Sequence, residues 1–281
     1  QRLWRRPPAL RRFVGDLRTF APELAFVLNS VSFSVTSAML ALWSGARWVV
    51  GGDSRPFGSQ VSARAYSLQL PGSPILDRHA VAHSLAPLQA VGITTTDLST
   101  VVVPSPADRA QAAALVRELL PERPFWALHP GAGKRQNLWP AERCAEGAGR
   151  AAAAGHPVLV LHGPADSEAL ARLRAALPAP AGPPAAPVVI APALTVGAGA
   201  AVLALVERLL CNDTGVMHIA GALGLRTVAL FGPTDSALWK PPSSRVLALR
   251  APSRQDDPRG PEFGYLETLS VDVVWQVWSA P

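Results

Sequence analysis

Residues 208–236 read RLLCNDTGVMHIAGALGLRTVALFGPTDS, in which two apolar runs flank a segment with helical spacing. The runs LLC and TVALF are continuous rather than alternating. Continuous runs are typical of strands that are buried on both faces, as in parallel sheets covered by helices. Each run ends in small polar residues, NDTG and GPTDS. The stretch therefore predicts a strand–helix–strand unit with polar turns at the carboxyl ends of its strands.

The same alternation extends back through the second half of the chain. The runs FWALH, PVLVL and VVIAP predict strands, and the segments PAERCAEGAGRAAAAG and SEALARLRAAL predict helices between them. Alternating strands and helices of this length predict a doubly wound, Rossmann-like α/β domain over residues 123–281. Trp275 and Trp278 lie on its last helix, which we expect to pack back on the N-terminal domain.

Residues 1–122 predict a second Rossmann-like domain with a less regular pattern. The expected elements are a helix near Ala9–Phe20, strand LAFVLN, a helix over Phe33–Trp43, strand WVVGG, and helices near Asp77–Val91 and Pro106–Leu120. The PERP sequence at Pro121–Pro124 predicts the domain boundary. Doubly wound domains usually open on a strand, whereas this chain opens in an arginine-rich helix. We therefore expect the first strand or strands of this domain to be missing.

Composition limits the class of protein. The chain has 281 residues, of which 49% are hydrophobic and 16% charged, and this composition excludes wholesale disorder. Cys144 and Cys211 cannot form a disulfide framework, and no Cys/His cluster has zinc spacing. His79 and His83 are interpreted as surface or packing residues, so no metal and no cofactor are expected. Polar residues interrupt the longest apolar stretches, and no signal peptide is recognised, which predicts a soluble cytoplasmic protein.

The charge favours an anionic partner. The net charge is +6, and all but two of the 26 Lys and Arg residues are arginine. Phosphates, nucleic acid and an acidic membrane surface all fit such a charge, as does a solvated surface with no partner. Nucleic acid is disfavoured because the chain lacks aromatic–basic stripes and any known reading motif.

Ligands of open α/β sheets bind where the strands end, so the residues after each strand are the candidate site. After FWAL come Gly131, Gly133, Lys134 and Arg135, in a loop that can clamp a phosphate. The alternative is a pair of solvated loop charges. The Walker spacing is absent, so this is not an ATPase-type loop.

The segment DTGVMH is the second candidate. Thr214 and Gly215 stand where a helix begins, and exposed N–H groups there attract a phosphate. His218 falls four residues after Thr214, on the same face of the predicted helix, which predicts a diphosphate-binding site. An ordinary helix cap by Asp213 or Thr214, with a packed histidine, remains the alternative.

Asp166 and Glu168 follow the strand PVLVL. One of them is positioned to accept hydrogen bonds from ribose hydroxyls, as acidic residues do in dinucleotide folds. Equally, both fit the role of negative charges at a helix N-terminus.

These motifs, in this order and spacing, resemble glycosyltransferase family 9, the ADP-heptose:lipopolysaccharide heptosyltransferases. The resemblance is strongest over Phe125–Ser236. It implies a two-domain GT-B fold and an inverting, metal-independent transfer of a heptose-like sugar from a nucleotide-diphosphate donor to a lipopolysaccharide-core or other cell-envelope saccharide. Thr214, Gly215 and His218 would hold the diphosphate, Asp213 would lie near the sugar, and Asp166 or Glu168 would meet the ribose. An anionic glycolipid acceptor and peripheral contact with the inner membrane surface are implied as well.

The sequence departs from the family pattern in two places, and both bear on the implied activity. The family's opening strand and the GD loop that carries its general base are not recognised, so no catalytic residue is assigned; Gly15–Asp16 lies in a predicted helix. A catalytically inactive or truncated nucleotide-sugar-binding relative is therefore the alternative function. In addition, Asn137 stands where the family often has lysine, and Lys134 or Arg135 is expected to supply the cation in its place.

Overall fold

A computed structural model describes residues 7–28, 33–72, 78–120, 124–177, 186–252 and 265–281. The chain divides into two compact units, Gln1–Leu98 and Ser99–Pro281. Over the described residues, no helix combines the length and apolar character needed to cross a membrane.

The first unit is a small parallel α/β layer. Its elements are α1 (Pro7–Thr19), β1 (Leu24–Val27), α2 (Val35–Trp43), β2 (Trp48–Gly52), α3 (Val61–Ala65), β3 (Leu68–Leu70) and α4 (Ala80–Gln89). The three strands are parallel in the order β1-β2-β3, with Leu24 opposite Trp48. A small core of Val27, Ala38, Val49 and Tyr66 joins the sheet to α2 and α3.

The second unit contains the larger sheet. Its elements are α5 (Pro106–Leu119), β4 (Trp126–His129), α6 (Ala141–Ala153), β5 (Val158–Val160), α7 (Ser167–Ala176), β6 (Val188–Ile190), α8 (Val196–Leu203), β7 (Arg208–Asn212), α9 (Gly215–Ala222), β8 (Arg226–Phe231), α10 (Ser236–Trp239), β9 (Val246–Arg250) and α11 (Val271–Ser279).

The six strands of this sheet are all parallel and lie in the order β6-β5-β4-β7-β8-β9. The chain adds strands on one side of β4 and then crosses back to add β7 on its other side. This is the strand order of doubly wound dinucleotide-binding folds, in which ligands occupy the crevice where the order reverses. The crevice expected here lies between the carboxyl ends of β4 and β7.

Alternate side chains of each strand enter two separate cores. Leu209 and Cys211 face the core that contains α5, α8 and α9, whereas Leu210 faces the core that contains α6 and α11. Both faces of the sheet are therefore covered, which explains why its strands read as continuous apolar runs.

The predicted parallel α/β fold is confirmed, and the structure differs in detail. Helix α5, which the sequence analysis placed in the domain ending at residue 122, packs on α8 in the second unit through Ala112 and Val116. The division between units falls after Leu98, and residues 121–123 of the predicted boundary lie outside the described residues. Asp77, at the start of a predicted helix, lies outside them too.

The last helix also differs from the expectation that it packs back on the N-terminal domain. Helix α11 packs against α6 and β8, within the second unit. Its Trp278 is fully buried, with its ring 4.9 Å from that of Trp126. The apolar face of α11 is thus used to cover one face of the second sheet.

We expect Trp278→Ala to lower the free energy of unfolding by about 3–5 kcal/mol, because it removes a fully buried aromatic ring. Chemical denaturation followed by circular dichroism measures this loss. Val273→Ala, on the exposed side of the same helix, is the matched control and should change the free energy of unfolding little. Equal effects of the two substitutions would contradict the packing described here.

Candidate functional site

The crevice between β4 and β7 is held by one buried carboxamide. Asn212, the last residue of β7, is 1% exposed. Its Nδ2 donates to the carbonyl oxygens of Pro130 (2.9 Å) and Gly131 (3.2 Å), and its Oδ1 accepts from the backbone N–H of Trp139 (3.1 Å). These bonds fix both ends of the loop that follows β4.

A second carboxamide links the same loop to the segment after β7. Asn137 ends a short 3-10 helix, and its Nδ2 donates to Asp213 Oδ2 (3.1 Å) and to Thr234 Oγ1 (3.4 Å). The glycine-containing loop after β4, the start of α9 and the turn after β8 therefore meet at one point. This contact brings the loop that contains Gly131–Arg135 close to the segment Asp213–His218.

Asp213 is a half-buried carboxylate at the centre of the crevice. Burial raises its pKa above the usual value, and this effect outweighs the opposing influence of the Thr234 hydroxyl, His218 and Lys134. His218 and Lys134 are thus close enough to act electrostatically on Asp213. Two cationic or potentially cationic side chains accordingly border the start of α9.

The N-terminus of α9 has no side-chain cap. Thr214 is the N-cap residue and has an extended backbone, but its side chain makes no capping hydrogen bond. A Cβ atom added at Gly215 would meet no other atom within 4 Å, so packing does not explain this glycine. The first N–H groups of the helix therefore receive no hydrogen bond from the Thr214 side chain, and the positive end of the helix dipole lies beside them.

Asp166 has a positioning role that the sequence did not show. The residue is buried, and its Oδ2 accepts from the Gly163 N–H (2.6 Å) and lies 3.3 Å from His129 Nε2. Burial alone would raise its pKa, yet the bonds from His129 and Gly163 and the nearby histidine charge lower it. A Cβ atom at Gly131 would collide with this carboxylate. Asp166 therefore ties the β5 loop to the end of β4.

Glu168, by contrast, is largely exposed in the first turn of α7, where it pairs with Arg172 at 2.9 Å. A cavity of about 340 Å³ lies beside it, lined by Ala132, Arg135, Asp166 and Glu168 among others. Of the two acidic candidates, Glu168 presents the more accessible oxygens. Arg135 lines this cavity and a neighbouring one of about 380 Å³.

An apolar cavity of about 160 Å³ adjoins the crevice on the other side. Leu161, Leu194, Val216 and Ile219 are among its lining residues, together with His129 and His162. The Nδ1 atom of His129 is buried and has no hydrogen-bond partner in the described residues. Sequence reasoning missed this cavity because its walls come from three separate helix–strand units.

Asn212 was also missed, although a polar residue at the last position of an apolar strand was a usable signal.

Over the described part of the chain, no group of three or more His, Cys, Asp or Glu residues is arranged to hold a metal ion.

A sequence model of glycosyltransferase family 9 (heptosyltransferase) matches residues 21–263. The chain belongs to glycosyltransferase family 9. The predicted resemblance to this family is thereby confirmed. A comparison with curated protein sequences gave no significant match.

Solved structures of this family share the fold of the family 9 chain. A glycosyltransferase family 9 protein from Veillonella parvula DSM 2008 has a TM-score of 0.74 at 19% identity, covering 94% of this chain and 76% of its own. The E. coli ADP-heptose lps heptosyltransferase II has a TM-score of 0.74 at 20% identity, covering 96% and 79%. E. coli heptosyltransferase WaaC with ADP has a TM-score of 0.66 at 19% identity, covering 98% and 78%. The GT-B-type fold expected for the family 9 chain is confirmed.

We expect Gly131→Ala to destabilise the family 9 chain by about 1–3 kcal/mol, because the added methyl group displaces the Asp166 carboxylate. Gly133→Ala is the matched control, since a Cβ atom there meets nothing within 4 Å. Urea denaturation of both variants measures the difference. A Gly131→Ala protein as stable as Gly133→Ala would show that Asp166 is not packed against Gly131.

We expect Asp213→Asn to stabilise the chain near neutral pH. A carboxyl group whose pKa is raised by folding contributes most when it is protonated, and that contribution is lost as pH rises through the folded-state pKa. The uncharged amide avoids this loss. The advantage of the variant should shrink as pH falls toward about 4, the pKa of an unfolded carboxyl group. Urea midpoints over a pH series test this; a variant that is less stable at neutral pH would contradict it.

Proposed function

We propose that the second unit binds a nucleotide-diphosphate sugar across the β4–β7 crevice and that the chain transfers the sugar to a cell-envelope saccharide. The observation that carries this proposal is the Asn137–Asp213 hydrogen bond of 3.1 Å, which brings the loop Gly131–Arg135 to the N-terminus of α9. A glycine-containing loop with cations beside an uncapped helix start is suited to an extended dianion.

The diphosphate is assigned to this junction. Thr214, Gly215 and the first N–H groups of α9 form one side of the seat, with His218 one turn further along the helix. Gly131, Gly133 and Lys134 form the other side. Lys134 acts on Asp213 electrostatically, whereas Arg135 lines the two neighbouring cavities. We therefore assign Lys134 to the leaving phosphate and Arg135 to the outer edge of the donor.

The nucleoside is assigned to the β5 and β6 side of the crevice. Glu168 is proposed to accept hydrogen bonds from the ribose hydroxyls, and Asp166 to hold the loop that presents it. The apolar cavity lined by Leu194, Val216 and Ile219 suits one face of a planar base. A heptosyltransferase of the same fold has been solved with ADP, which favours an ADP-linked heptose-like donor.

The reaction proposed is an inverting, metal-independent displacement. The acceptor hydroxyl loses its proton to a general base as its oxygen attacks the anomeric carbon, and the bond from that carbon to the diphosphate oxygen breaks. The diphosphate leaves with its added negative charge facing the N–H groups of α9, Lys134 and His218, which stabilise it as the charge develops. Asp213, near the start of the helix, is proposed to orient the sugar.

The acceptor is proposed to be a lipopolysaccharide-core or related anionic glycolipid saccharide. The E. coli ADP-heptose lps heptosyltransferase II has a similar fold, which supports this class. Such an acceptor would place the protein in the cytoplasm, at the inner face of the cytoplasmic membrane.

The double variant Thr214→Ala/His218→Ala tests the diphosphate seat. We expect it to weaken ADP binding by about 100-fold, because two hydrogen bonds to a charged group are removed. Isothermal titration calorimetry measures affinity, and thermal unfolding checks that the fold is kept.

Thr95→Ala/His83→Ala, with the same residue types changed in the first unit, is the control and should bind ADP like the parent chain. If the Thr214/His218 variant binds ADP as tightly as the parent chain does, these residues do not bind the diphosphate and the proposed site is wrong. Release of ADP from ADP-heptose only in the presence of a lipopolysaccharide-core acceptor would establish transfer. Binding of ADP without such release would favour a nucleotide-sugar-binding relative.

A further inference from the structure

We propose that Thr234, in the turn after β8, is a positioning residue: its hydroxyl group, bonded to Asn137, holds the Asp213 carboxylate in the orientation and charge state in which it meets the donor sugar. This inference rests on the proposed function, in which Asp213 orients the sugar. It deepens that function, because it gives Thr234 a role in recognition of the sugar and none in binding of the diphosphate.

The backbone brings Thr234 to Asp213. Strands β7 and β8 are parallel neighbours, and the backbone N–H of Asp213 donates to the carbonyl oxygen of Leu230 at 2.9 Å. The residues that follow β8 therefore leave the sheet beside Asp213. The chain then bends over residues 232–234 before α10 begins. This bend places the half-buried Thr234 side chain at the crevice.

The Asn137 carboxamide links the Thr234 hydroxyl to the Asp213 carboxylate. Asn137 is 6% exposed, and its Nδ2 lies 3.1 Å from Asp213 Oδ2 and 3.4 Å from Thr234 Oγ1. A carboxamide nitrogen donates two hydrogen bonds and accepts none, so one hydrogen is directed to each oxygen. The opposite orientation of the amide would set Oδ1 against the carboxylate oxygen, and the two negative partial charges would repel.

The direction of these two bonds fixes the direction of a third. Thr234 Oγ1 accepts from Asn137, and the hydroxyl hydrogen of Thr234 is donated in turn to Asp213. The carboxylate thus receives hydrogens from both neighbours. Because hydrogen bonds to a charged acceptor are stronger than those to a neutral one, this arrangement favours the ionised form of Asp213.

Burial works against that ionised form. It raises the pKa of Asp213, and the hydrogen bond from Thr234 is the largest of the influences that lower it. His218 on α9 and Lys134 on the loop after β4 lower the pKa less. Cys211, on β7, is a buried thiol whose own pKa is raised, so it adds no charge. Loss of the Thr234 hydroxyl should therefore move protonation of Asp213 to higher pH.

Thr234→Val tests the proposal, because it removes the hydroxyl and keeps a branched side chain of similar size. Calorimetry without acceptor compares the affinities for ADP and ADP-heptose. We expect the affinity for ADP-heptose to fall at least about tenfold near neutral pH, as for loss of one hydrogen bond to a charged group, and the affinity for ADP to stay unchanged. The loss should shrink as pH rises, because Asp213 becomes ionised again.

Two further variants separate this role from a structural one. Thr234→Ser keeps the hydroxyl and should restore the parent affinity for ADP-heptose. Thr227→Val removes a buried hydroxyl at the other end of β8, where it donates to the carbonyl oxygen of Leu225 at 3.0 Å, and should leave both affinities unchanged. Thermal unfolding confirms that each variant is folded.

Carbon-13 NMR of labelled aspartate follows the Asp213 carboxyl group directly and needs no ligand. The Asp213 signal is identified by its absence from the spectrum of Asp213→Asn. We expect its titration midpoint to lie at higher pH in Thr234→Val than in the parent chain, and Thr234→Ser to titrate like the parent chain.

Three results would overturn the proposal. They are an Asp213 titration that Thr234→Val leaves unchanged, equal losses of ADP and ADP-heptose affinity in Thr234→Val, or the same losses in Thr234→Ser. A parent chain that does not bind ADP would contradict the proposed function itself. An unaltered Asp213 titration in a chain that does bind ADP would contradict only the role of Thr234.

Discussion

The functional edge of the second sheet depends on the buried side chain of Asn212. Its carboxamide uses both donor hydrogens and its oxygen to bind backbone atoms at the two ends of the loop after β4. A buried amide left without those partners would cost about 1–3 kcal/mol, so the loop and the strand end are mutually dependent. Because the loop is held by its backbone, the side chains of Lys134 and Arg135 need not stabilise it.

Asn137 and Asp166 extend the same principle to the neighbouring loops. Asn137 joins the β4 loop to the segments after β7 and β8, and Asp166 joins the end of β4 to the loop after β5. Three polar side chains thus connect four strand ends at the point where the strand order reverses. A site connected in this way is organised before its ligand arrives, which lowers the ordering cost of binding. This organisation also has a cost in stability, because a carboxylate is kept partly buried at neutral pH. The raised pKa of Asp213 reflects that cost.

The sequence predicted the second sheet well because every one of its central strands is buried on both faces. Runs such as FWAL and TVALF are short, continuous and apolar, as buried parallel strands are, and small polar residues follow them at the carboxyl ends of the strands. β9 was not predicted; it is a short edge strand in which only the first of five residues is buried. Helix α5 was assigned to the wrong neighbour because its pattern shows only that Ala112 and Val116 are buried, not which helix buries them.

Within the site, sequence reasoning identified residue types and chain positions but not which atoms are already bonded. Asp166 and Glu168 read alike as acidic residues after a strand, and only the contact of Asp166 with Gly163, His129 and Gly131 separates a positioning role from an accessible carboxylate. Asn137 read as a departure from the family's lysine. In the structure Asn137 is a neutral side chain that donates a hydrogen bond to Asp213. The positive charge near Asp213 comes instead from Lys134, on the loop after β4, which lowers the pKa of Asp213 and so opposes the effect of burial.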